Sequence, residues 1–343
     1  MTENVLDIQD LEVSFKSDGK EVKVVNGISF SIGAGETVGV VGESGCGKSV
    51  TSLSIMRLIP SPPGRISGGK ILYKGENLLD KKERDMRKIR GNDISMIFQE
   101  PMTSLNPVFT IGRQIDEVLL LHKNMNRTQA RRKSIEMLEL VGIPRAEQIY
   151  DSHPFELSGG MRQRVMIAIG LACEPQLLIA DEPTTALDVT IQAQILDLMR
   201  GLKNKTNTAI MFITHDLGVV AEMCDKVVVM YSGEIVEQAD VDTLFNDPKH
   251  PYTVGLLGSL PKVEEKQDRL FSIKGQVPPP GTVEKGCRFA GRCSHVMPRC
   301  TEEDPPLLKL KDGHDARCWL YDDQFKGKEA GARDTAAAGR KEP

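Results

Sequence analysis

The sequence has no long hydrophobic run, no excess of one charge and no internal repeat. Its longest apolar run, Val165 to Cys173, falls far short of the ~20 residues needed to cross a bilayer. The N-terminal residues lack a basic flank and an apolar segment, so no secretory signal is predicted. With 44 basic and 48 acidic residues, the chain gives no electrostatic case for nucleic acid as its main partner. We therefore expect a soluble cytoplasmic protein, of a length that suits more than one domain, which can still dock on a membrane component.

The chain also lacks the Cys-x2-Cys pair of common zinc fingers, although it holds seven cysteines. Three are scattered and four are clustered near the C-terminus, the latter being Cys287, Cys293, Cys300 and Cys318. In a reducing compartment such a cluster suggests metal ligation before disulfides. The spacing matches neither common ferredoxin pattern. It allows a tetrahedral site of four thiolates, with His295 and His314 as substitute ligands, and does not identify the metal.

The stretch from residue 42 to residue 49 is the strongest chemical signal present. It fits the phosphate-binding pattern G-x-x-x-x-G-K-[ST] without a mismatch and reads Gly42, Glu43, Ser44, Gly45, Cys46, Gly47, Lys48, Ser49. A buried strand, Thr37 to Val41, is predicted before it, and a helix starting near Val50 after it. Glycines let the loop curl so that successive backbone N–H groups point at one anion. Because Lys48 adds a positive charge and Ser49 a Mg²⁺ ligand, the pattern predicts nucleoside triphosphate binding rather than a chance glycine-rich turn.

Apolar strands alternate with helical segments along most of the chain. Beyond Thr37 to Val41, the predicted core strands are 94–98, 177–180, 209–214 and 227–230. This alternation predicts an α/β fold with a mainly parallel, doubly wound sheet. Residues 102–156 change character, since the apolar spacing after Ile111 and the segment Arg127 to Leu140 predict inserted amphipathic helices. From about Asp247 the composition shifts to Pro and Gly.

Two further motifs carry candidate chemistry. Asp181 and Glu182 follow the apolar strand 177–180, where Asp181 can hold Mg²⁺ and Glu182 can deprotonate an attacking water. Paired acids after a strand are also common as helix caps, but the complete phosphate loop upstream favours catalysis. Ser158, Gly159 and Gly160 precede a helical run, and this pattern alone suits anion binding or only a cap and turn.

Taken in order, these motifs resemble those of ABC-type ATPases, and the resemblance covers roughly residues 5–245. Leu157 to Arg164 is similar to the family's signature motif, with Met161 at a position where Gln is usual. The resemblance implies a P-loop NTPase fold of the ABC type with a helical insertion. It also assigns family roles to Gln99 as the Q-loop glutamine, Asp188 as the D-loop aspartate and His215 as the switch histidine.

The resemblance implies a mechanism in which two nucleotide domains meet head to tail. Each ATP would lie between the phosphate loop of one chain and residues 158–160 of the other. The implied catalytic residues are Lys48, Gln99, Glu182 and His215, and the implied Mg²⁺ ligands are Ser49, Gln99 and Asp181. Further nucleotide contacts are expected from Phe15, which can stack on adenine although a lone aromatic at a strand end is more often core, and from Val50 and Asp188.

A finer resemblance, to the ATPase subunits of dipeptide and oligopeptide importers, rests on three stretches. These are Gln99 to Pro107, His250 to Thr253 and the C-terminal cysteines. The subfamily includes nickel importers, commonly carries Met in its signature and extends the resemblance to about Asp323. It implies an ATPase domain over residues 1–246 with its helical insertion at about 100–160, and a small loop-rich cysteine-containing domain over 247–325. Residues 326–343 are small, charged and poor in apolar residues, which predicts a disordered tail.

The finer resemblance also implies cofactors, partners and location. Beyond ATP and Mg²⁺, some members hold a [4Fe–4S] cluster at matching cysteines, so we favour a structural iron–sulfur cluster over zinc or no metal. The implied partners are a second ABC ATPase subunit (a paralogue or a copy), two transmembrane permeases and, indirectly, an external peptide-binding protein. A groove near Gln99 to Asn106 is expected to receive a permease coupling helix on the cytoplasmic face of the membrane. The expected cargo is a di- or oligopeptide, with nickel or another small solute as the alternative.

Three other functions fit the sequence less well. A DNA-maintenance ATPase would carry a long coiled coil between phosphate loop and signature, and the insertion here is short and lacks sustained heptads. A translation-type ATPase would carry two cassettes, and one set of motifs is present. An iron–sulfur sensor that uses ATP only structurally disagrees with the intact Glu182 and His215.

Overall fold

The computed structural model describes residues 4–17, 19–99, 104–184, 188–260, 272–311 and 313–322. In these residues the strands are β1 (Asn4–Ser17), β2 (Lys20–Gly33), β3 (Thr37–Val41), β4 (Gly64–Tyr73), β5 (Glu76–Asn77), β6 (Ile94–Ile97), β7 (Leu177–Asp181), β8 (Ala209–Ile213), β9 (Lys226–Tyr231), β10 (Glu234–Asp240), β11 (Leu308–Lys311) and β12 (His314–Ala316). The α-helices are α1 (Lys48–Ile55), α2 (Glu83–Ile89), α3 (Ile111–His122), α4 (Arg127–Leu140), α5 (Ala146–Tyr150), α6 (Gly159–Leu171), α7 (Val189–Thr206), α8 (Leu217–Met223), α9 (Val241–Asn246), α10 (Pro251–Gly258) and α11 (Pro298–Glu302). The expected tail over 326–343 lies outside the described residues.

The larger sheet has the order β11-β12-β10-β9-β3-β8-β7-β6. Strands β9, β3, β8, β7 and β6 are parallel, whereas β10, β12 and β11 continue the sheet antiparallel. Every residue of β3, β7 and β8 is buried, as expected for parallel strands covered on both faces. The predicted α/β fold is therefore confirmed, and the ends of the central strands form one edge where loops can carry chemistry.

A second, antiparallel sheet of order β2-β1-β4-β5 was not predicted as a separate layer. Its strand β4 is rich in glycine and polar residues, which hides the apolar alternation typical of a strand. Gly69 has φ 86°, and a Cβ there would lie 2.4 Å from the carbonyl oxygen of Asp10. Glycine is thus required for the close approach of β4 to β1.

The inserted helices occupy the predicted segment. Helix α4 spans Arg127–Leu140 as predicted, and Asn126 and Gln129 form a capping box at its start. On α3, the predicted face places Ile111, Ile115 and Leu119 in the core with no exposed surface. None of the helices in the described part of the chain is long and apolar enough to cross a membrane.

The C-terminal segment packs on the same core as the large sheet. Strand β12 pairs with β10, with Ala316 opposite Glu237. Phe289 is buried in the core cluster of the sheet and helices, and Cys287 and Cys293 pack against that cluster. The segment consists of short elements and loops, as its composition predicted, and β11 and β12 extend the sheet edge beyond β10.

Candidate functional site

The phosphate-binding loop lies between β3 and α1. Its glycines Gly42, Gly45 and Gly47 all have positive φ, at 150°, 81° and 105°. A Cβ at Gly42 would lie 2.2 Å from the carbonyl oxygen of Met230, so a larger residue would force the loop away from β9. The loop therefore curls into helix α1, whose first N–H groups point out of the helix end.

Lys48 lies inside this curl. Its side chain is buried, and Nζ donates hydrogen bonds to the carbonyl oxygens of Gly42 at 2.7 Å and Glu43 at 3.1 Å. The ammonium group is thus held by backbone carbonyl groups of the loop, at a position where its positive charge can balance the negative charge of a bound anion. Cys46 of the same loop is fully buried and Val50 is half-buried, so at these positions contact with a ligand has to come mainly from the backbone.

Asp181 ends strand β7 and faces the start of α1. Burial raises the pKa of its carboxyl group, a hydrogen bond with Ser49 lowers it, and the charge of Glu182 raises it again. Among the described residues, Oδ1 is a buried oxygen without a hydrogen-bond partner. A buried carboxylate with a free oxygen beside a hydroxyl is a donor set that suits Mg²⁺.

Glu182 is held between two other residues that the sequence singled out. Its Oε2 accepts a hydrogen bond from Nε2 of Gln99 at 3.3 Å, and its Oε1 lies 3.5 Å from Nδ1 of His215. Its backbone is left-handed, with φ 49°, an uncommon conformation for a non-glycine residue that is concentrated at functional sites. These three residues follow β6, β7 and β8, so the topology brings together positions that are far apart in sequence.

The start of helix α6 within the signature-like motif is on the surface, whereas Leu157 and Gln163 of the same motif are buried. Ser158 caps α6, because its hydroxyl accepts the N–H of Met161 at 3.3 Å, and Ser158 and Gly159 are exposed. Asp188 caps α7 in the same way through the N–H of Ile191 at 2.9 Å. Both helix starts thus keep polar groups accessible to a second molecule.

Phe15 lies in β1 beside the loop that precedes β4. A Cβ at Gly64 would lie 2.7 Å from the Phe15 ring, so the ring packs closely on that loop. It also lines a cavity of about 160 Å³ together with Pro62 and Arg65. Both stacking on a base and core packing remain compatible with this position.

Comparison with known proteins places these motifs in a family. Residues 25–185 match the family model described as "ABC transporter", and residues 236–300 match "Oligopeptide/dipeptide transporter, C-terminal region". The oligopeptide transport ATP-binding protein AppD of Bacillus subtilis is 55% identical over 320 residues, covering 93% of this chain and 98% of AppD. The dipeptide transport ATP-binding protein DppD of the same organism is 49% identical, covering 93% of this chain and 96% of DppD.

The chain belongs to the ABC transporter ATP-binding subunits of the oligopeptide and dipeptide family.

Solved structures agree with this family at the level of the cassette. The dimeric post-hydrolysis ATP-binding cassette MJ0796 bound to ADP and Pi superposes with a TM-score of 0.63 at 25% identity, covering 69% of this chain and 98% of that one. The structure of cbiO1 from Clostridium perfringens gives a TM-score of 0.60 at 25% identity, covering 74% of this chain and 95% of the other. Binding of ATP with Mg²⁺ follows from membership of the ABC ATPase family.

In this ABC ATPase, the C-terminal segment contacts the phosphate loop in a way that the sequence did not reveal. Arg292 donates from Nη1 to Oε1 of Glu43 at 2.8 Å, and the Tyr252 hydroxyl accepts the N–H of Glu43 at 2.9 Å. These partners are more than two hundred residues apart in sequence, so no local pattern pointed to them. The His-Pro-Tyr-Thr stretch marked the subfamily but not the contact of its tyrosine.

The four clustered cysteines line one small cavity, together with Phe289, His295 and Trp319. All seven cysteines are free thiols, and burial raises the pKa of Cys287 to about 11 and that of Cys318 to about 12. Across the described residues, no three His, Cys, Asp or Glu side chains are placed to hold a metal ion. The cavity thus gathers the predicted thiols, but the described residues show neither the predicted iron–sulfur site nor the alternative zinc site as a formed metal-binding group.

Proposed function

We propose that this chain hydrolyses ATP to drive the import of di- or oligopeptides by a membrane ABC transporter. The observation that carries this proposal is Glu182, held between Gln99 and His215 directly after the buried Asp181 that faces the phosphate loop. The peptide cargo rests on the relatives, which are named oligopeptide and dipeptide transport proteins. Those names support peptides over the nickel alternative.

In this proposal, the backbone N–H groups of the phosphate loop and Lys48 hold the triphosphate. Ser49 and Asp181 hold Mg²⁺, with Gln99 reaching the same region, as their oxygen donors support. When bound there, Mg²⁺ would neutralise part of the negative charge of the triphosphate. Phe15 stacks on the adenine.

Glu182 acts as the general base in this scheme. Its carboxylate takes a proton from the water that attacks the γ-phosphate, and Gln99 and His215 fix its orientation through the contacts at 3.3 Å and 3.5 Å. Because two neighbours already orient the carboxylate, little further side-chain entropy has to be lost when it reacts with the water.

A second ATPase subunit completes each nucleotide site. We assign Ser158, Gly159 and Gly160 to the γ-phosphate bound in the partner subunit, since the α6 start is exposed and presents backbone N–H groups. Asp188 at the start of α7 contributes to the same interface. Contacts from both subunits to the γ-phosphate then hold the dimer closed before hydrolysis. Once hydrolysis removes the γ-phosphate, these contacts are lost and the dimer opens.

The permease is proposed to dock on the inserted helices. An open groove of about 1110 Å³ lies between α3 and α4 and is lined by Phe109, Leu120, Leu121 and several charged residues. Gln114 ties the loop after Gln99 to α3, since it donates to the carbonyl oxygens of Asn106 and Phe109 at 3.0 Å each. A short amphipathic helix of a permease suits this mixture of apolar floor and charged rim.

Replacing Leu121 by Glu is expected to uncouple ATP hydrolysis from transport. The Leu121 side chain is 70% exposed in the groove, so the change should not disturb the core. We expect peptide uptake to fall at least roughly tenfold, as for loss of an apolar interface anchor, with ATPase activity of the isolated subunit unchanged. The matched control is Leu140→Glu, 41% exposed at the end of α4 and away from the groove. Equal uptake by both variants contradicts docking at this groove.

For the cysteine cavity we propose a structural [4Fe–4S] cluster bound by Cys287, Cys293, Cys300 and Cys318. Four thiols around one cavity supply the ligand number, and the His295 N–H donates to Sγ of Cys293 at 3.3 Å, a contact typical of cluster sulfurs. The preference for iron–sulfur over zinc rests on the resemblance to the peptide-importer subfamily and not on the positions of the thiols, which in the described residues form no metal-binding group of three or more. Bound iron–sulfur would crosslink a segment that has no disulfide.

Replacing Cys300 by Ser should abolish the cluster. Anaerobically purified wild type is expected to hold about four iron atoms and as much acid-labile sulfide per chain, and the variant close to none, with a lower melting temperature. Cys173→Ser, at a buried cysteine outside the cavity, is the control that keeps its iron. Wild-type protein without iron and sulfide rules the cluster out.

We further propose the division into an ATPase domain over residues 1–246, with the insertion at about 100–160, and a C-terminal domain over 247–325. The family matches over 25–185 and 236–300 support this division. The proposed location is the cytoplasmic face of the membrane, bound to the permeases, with an external peptide-binding protein supplying cargo to them.

The transport assignment is tested by uptake of labelled dipeptide and labelled nickel in cells lacking this chain, with rescue by wild type and by Glu182→Gln. We expect loss of dipeptide uptake that only the wild type restores. Loss of nickel uptake alone would mean that the transporter assignment is right and that its substrate is nickel rather than peptide. Unchanged uptake of both, in cells without related ATPase genes, overturns the transport proposal.

A further inference from the structure

The C-terminal segment contacts the phosphate loop through the side chains of Arg292 and Tyr252. Arg292 is the last residue of a short 3-10 turn (Ala290–Arg292), and only 7% of its side chain is exposed. Its guanidinium donates to the carbonyl oxygens of Lys274 at 3.0 Å and Ile273 at 3.3 Å. It therefore has a fixed position, set by the segment around it, before it meets the loop.

The ionic partner of this arginine is Glu43, the second residue of the phosphate-binding motif. Nη1 of Arg292 lies 2.8 Å from Oε1 of Glu43 and 3.3 Å from the Tyr231 hydroxyl. The guanidinium carbon also lies 5.7 Å from the Tyr231 ring centre and 5.9 Å from that of Phe289, within range of a cation–π attraction. A buried arginine with these contacts is costly to move.

Glu43 is held at three points. Its carboxylate meets Arg292, its N–H donates to the Tyr252 hydroxyl at 2.9 Å, and its carbonyl oxygen accepts from Nζ of Lys48 at 3.1 Å. Tyr231, Tyr252 and Phe289 pack ring on ring, with centroids 4.7 to 5.4 Å apart. The loop's second residue is thus clamped by side chains that include two from the C-terminal segment.

The ion pair between Arg292 and Glu43 also compensates the negative charge that Glu43 brings into the phosphate loop. A carboxylate in a phosphate-binding loop repels the anion that the loop must hold, unless a cation pairs with it. Arg292 supplies that cation at 2.8 Å from the carboxylate, while the ammonium group of Lys48 bonds to the carbonyl oxygen of Gly42 and not to the carboxylate. Lys48 is then free to compensate the phosphates.

We propose that Arg292 is a positioning residue for ATP binding, which neutralises Glu43 and holds the phosphate loop in its anion-binding shape. The C-terminal segment thereby sets the nucleotide affinity of the ATPase. The inference rests on the ATPase function, and it adds a role for a residue outside every nucleotide-binding motif.

The test is a double-mutant cycle on ATP affinity, with KM and kcat measured in parallel on the full chain. Arg292→Ala is expected to weaken ATP binding at least roughly tenfold, because it leaves Glu43 charged and unpaired, while kcat at saturating ATP changes little. Glu43→Gln, which removes the charge that Arg292 pairs with, supplies the third corner of the cycle, and its own ATP affinity is the reference for the double variant. The double variant should regain most of the lost affinity, since no unpaired carboxylate remains.

Melting temperatures separate positioning from folding. Arg292→Ala and the double variant both lose the arginine's packing, so both should melt below the wild type although only the first binds ATP poorly. The control is Arg299→Ala, whose arginine pairs with Glu303 and Asp322 and stacks on Trp319 within the C-terminal segment. It should keep wild-type ATP affinity.

Several results overturn the proposal. One is an ATP affinity of folded Arg292→Ala within twofold of the wild type, and another is a loss that Glu43→Gln does not relieve. If Arg292→Ala does not fold, Arg292→Lys and Arg292→Gln replace it, and equal ATP affinity in these two, which differ in charge, overturns the electrostatic role. A wild type that binds no ATP would instead refute the ATPase assignment.

Discussion

Replacing Glu182 by Gln is expected to slow ATP hydrolysis by about 10²–10⁴-fold, the range that a positioned general base contributes. The amide has the shape of the carboxylate and can still meet Gln99, but it cannot accept a proton from water. ATP affinity should stay close to that of the wild type, since Glu182 does not belong to the phosphate loop. With ATP bound and not hydrolysed, the variant should accumulate as a closed dimer. Phosphate release, ATP affinity and size-exclusion chromatography with ATP measure the three effects.

The control for this variant is Glu76→Gln, an exposed acid on β5 that pairs with Lys81. It should hydrolyse ATP at the wild-type rate. Near-normal turnover by Glu182→Gln would remove Glu182 as the base and leave its contacts with Gln99 and His215 as a structural network. Equal loss of binding and turnover would place Glu182 in nucleotide binding instead.

The sequence predicted those parts of the site that short, contiguous motifs encode. The phosphate loop needs positive φ at Gly42, Gly45 and Gly47. Because only glycine adopts such angles freely, this backbone requirement appears in the sequence as conspicuous glycine residues. The strand β7 is a run of buried apolar residues that ends in Asp181, which gives both the strand and its acid. Helix α4 was predicted to the residue from its amphipathic spacing, and its N-terminal end coincides with the capping residue Asn126.

The rest depended on contacts that no local pattern records. Glu43 and Arg292 are separated by 249 positions, and each alone is an ordinary surface-type residue. The roles of Gln99 and His215 were predicted only from family resemblance. Their contacts with Glu182 arise from the order of the strands in the sheet, which the spacing of these residues along the sequence does not reveal. Strand β4 was not predicted because its sequence lacks the alternation of apolar and polar residues that is typical of a strand. Glycines interrupt that alternation, and the close contact with β1 requires one of them, Gly69.

Replacing Lys48 by Ala is expected to weaken ATP binding by about 10- to 100-fold. A hydrogen bond between charged groups contributes about 1.5–3 kcal/mol, and each 1.4 kcal/mol is roughly a factor of ten in affinity. Because the Lys48 ammonium is already held inside the loop by Gly42 and Glu43, little ordering cost offsets that contribution. Titration with a fluorescent ATP analogue measures the affinity, and hydrolysis should be lost at ATP concentrations that saturate the wild type.

Lys48→Arg sharpens this prediction, since it keeps the charge and changes the shape. The planar guanidinium does not fit a buried position shaped for an ammonium, so we expect this variant to bind ATP poorly as well. Lys88→Ala, at an exposed position of α2, is the control for loss of a positive charge and should bind ATP normally. Wild-type affinity in folded Lys48→Ala would mean that the backbone N–H groups of the loop hold the phosphates unaided. Strong binding by Lys48→Arg would instead show that charge matters there and position does not, because the two variants separate these causes.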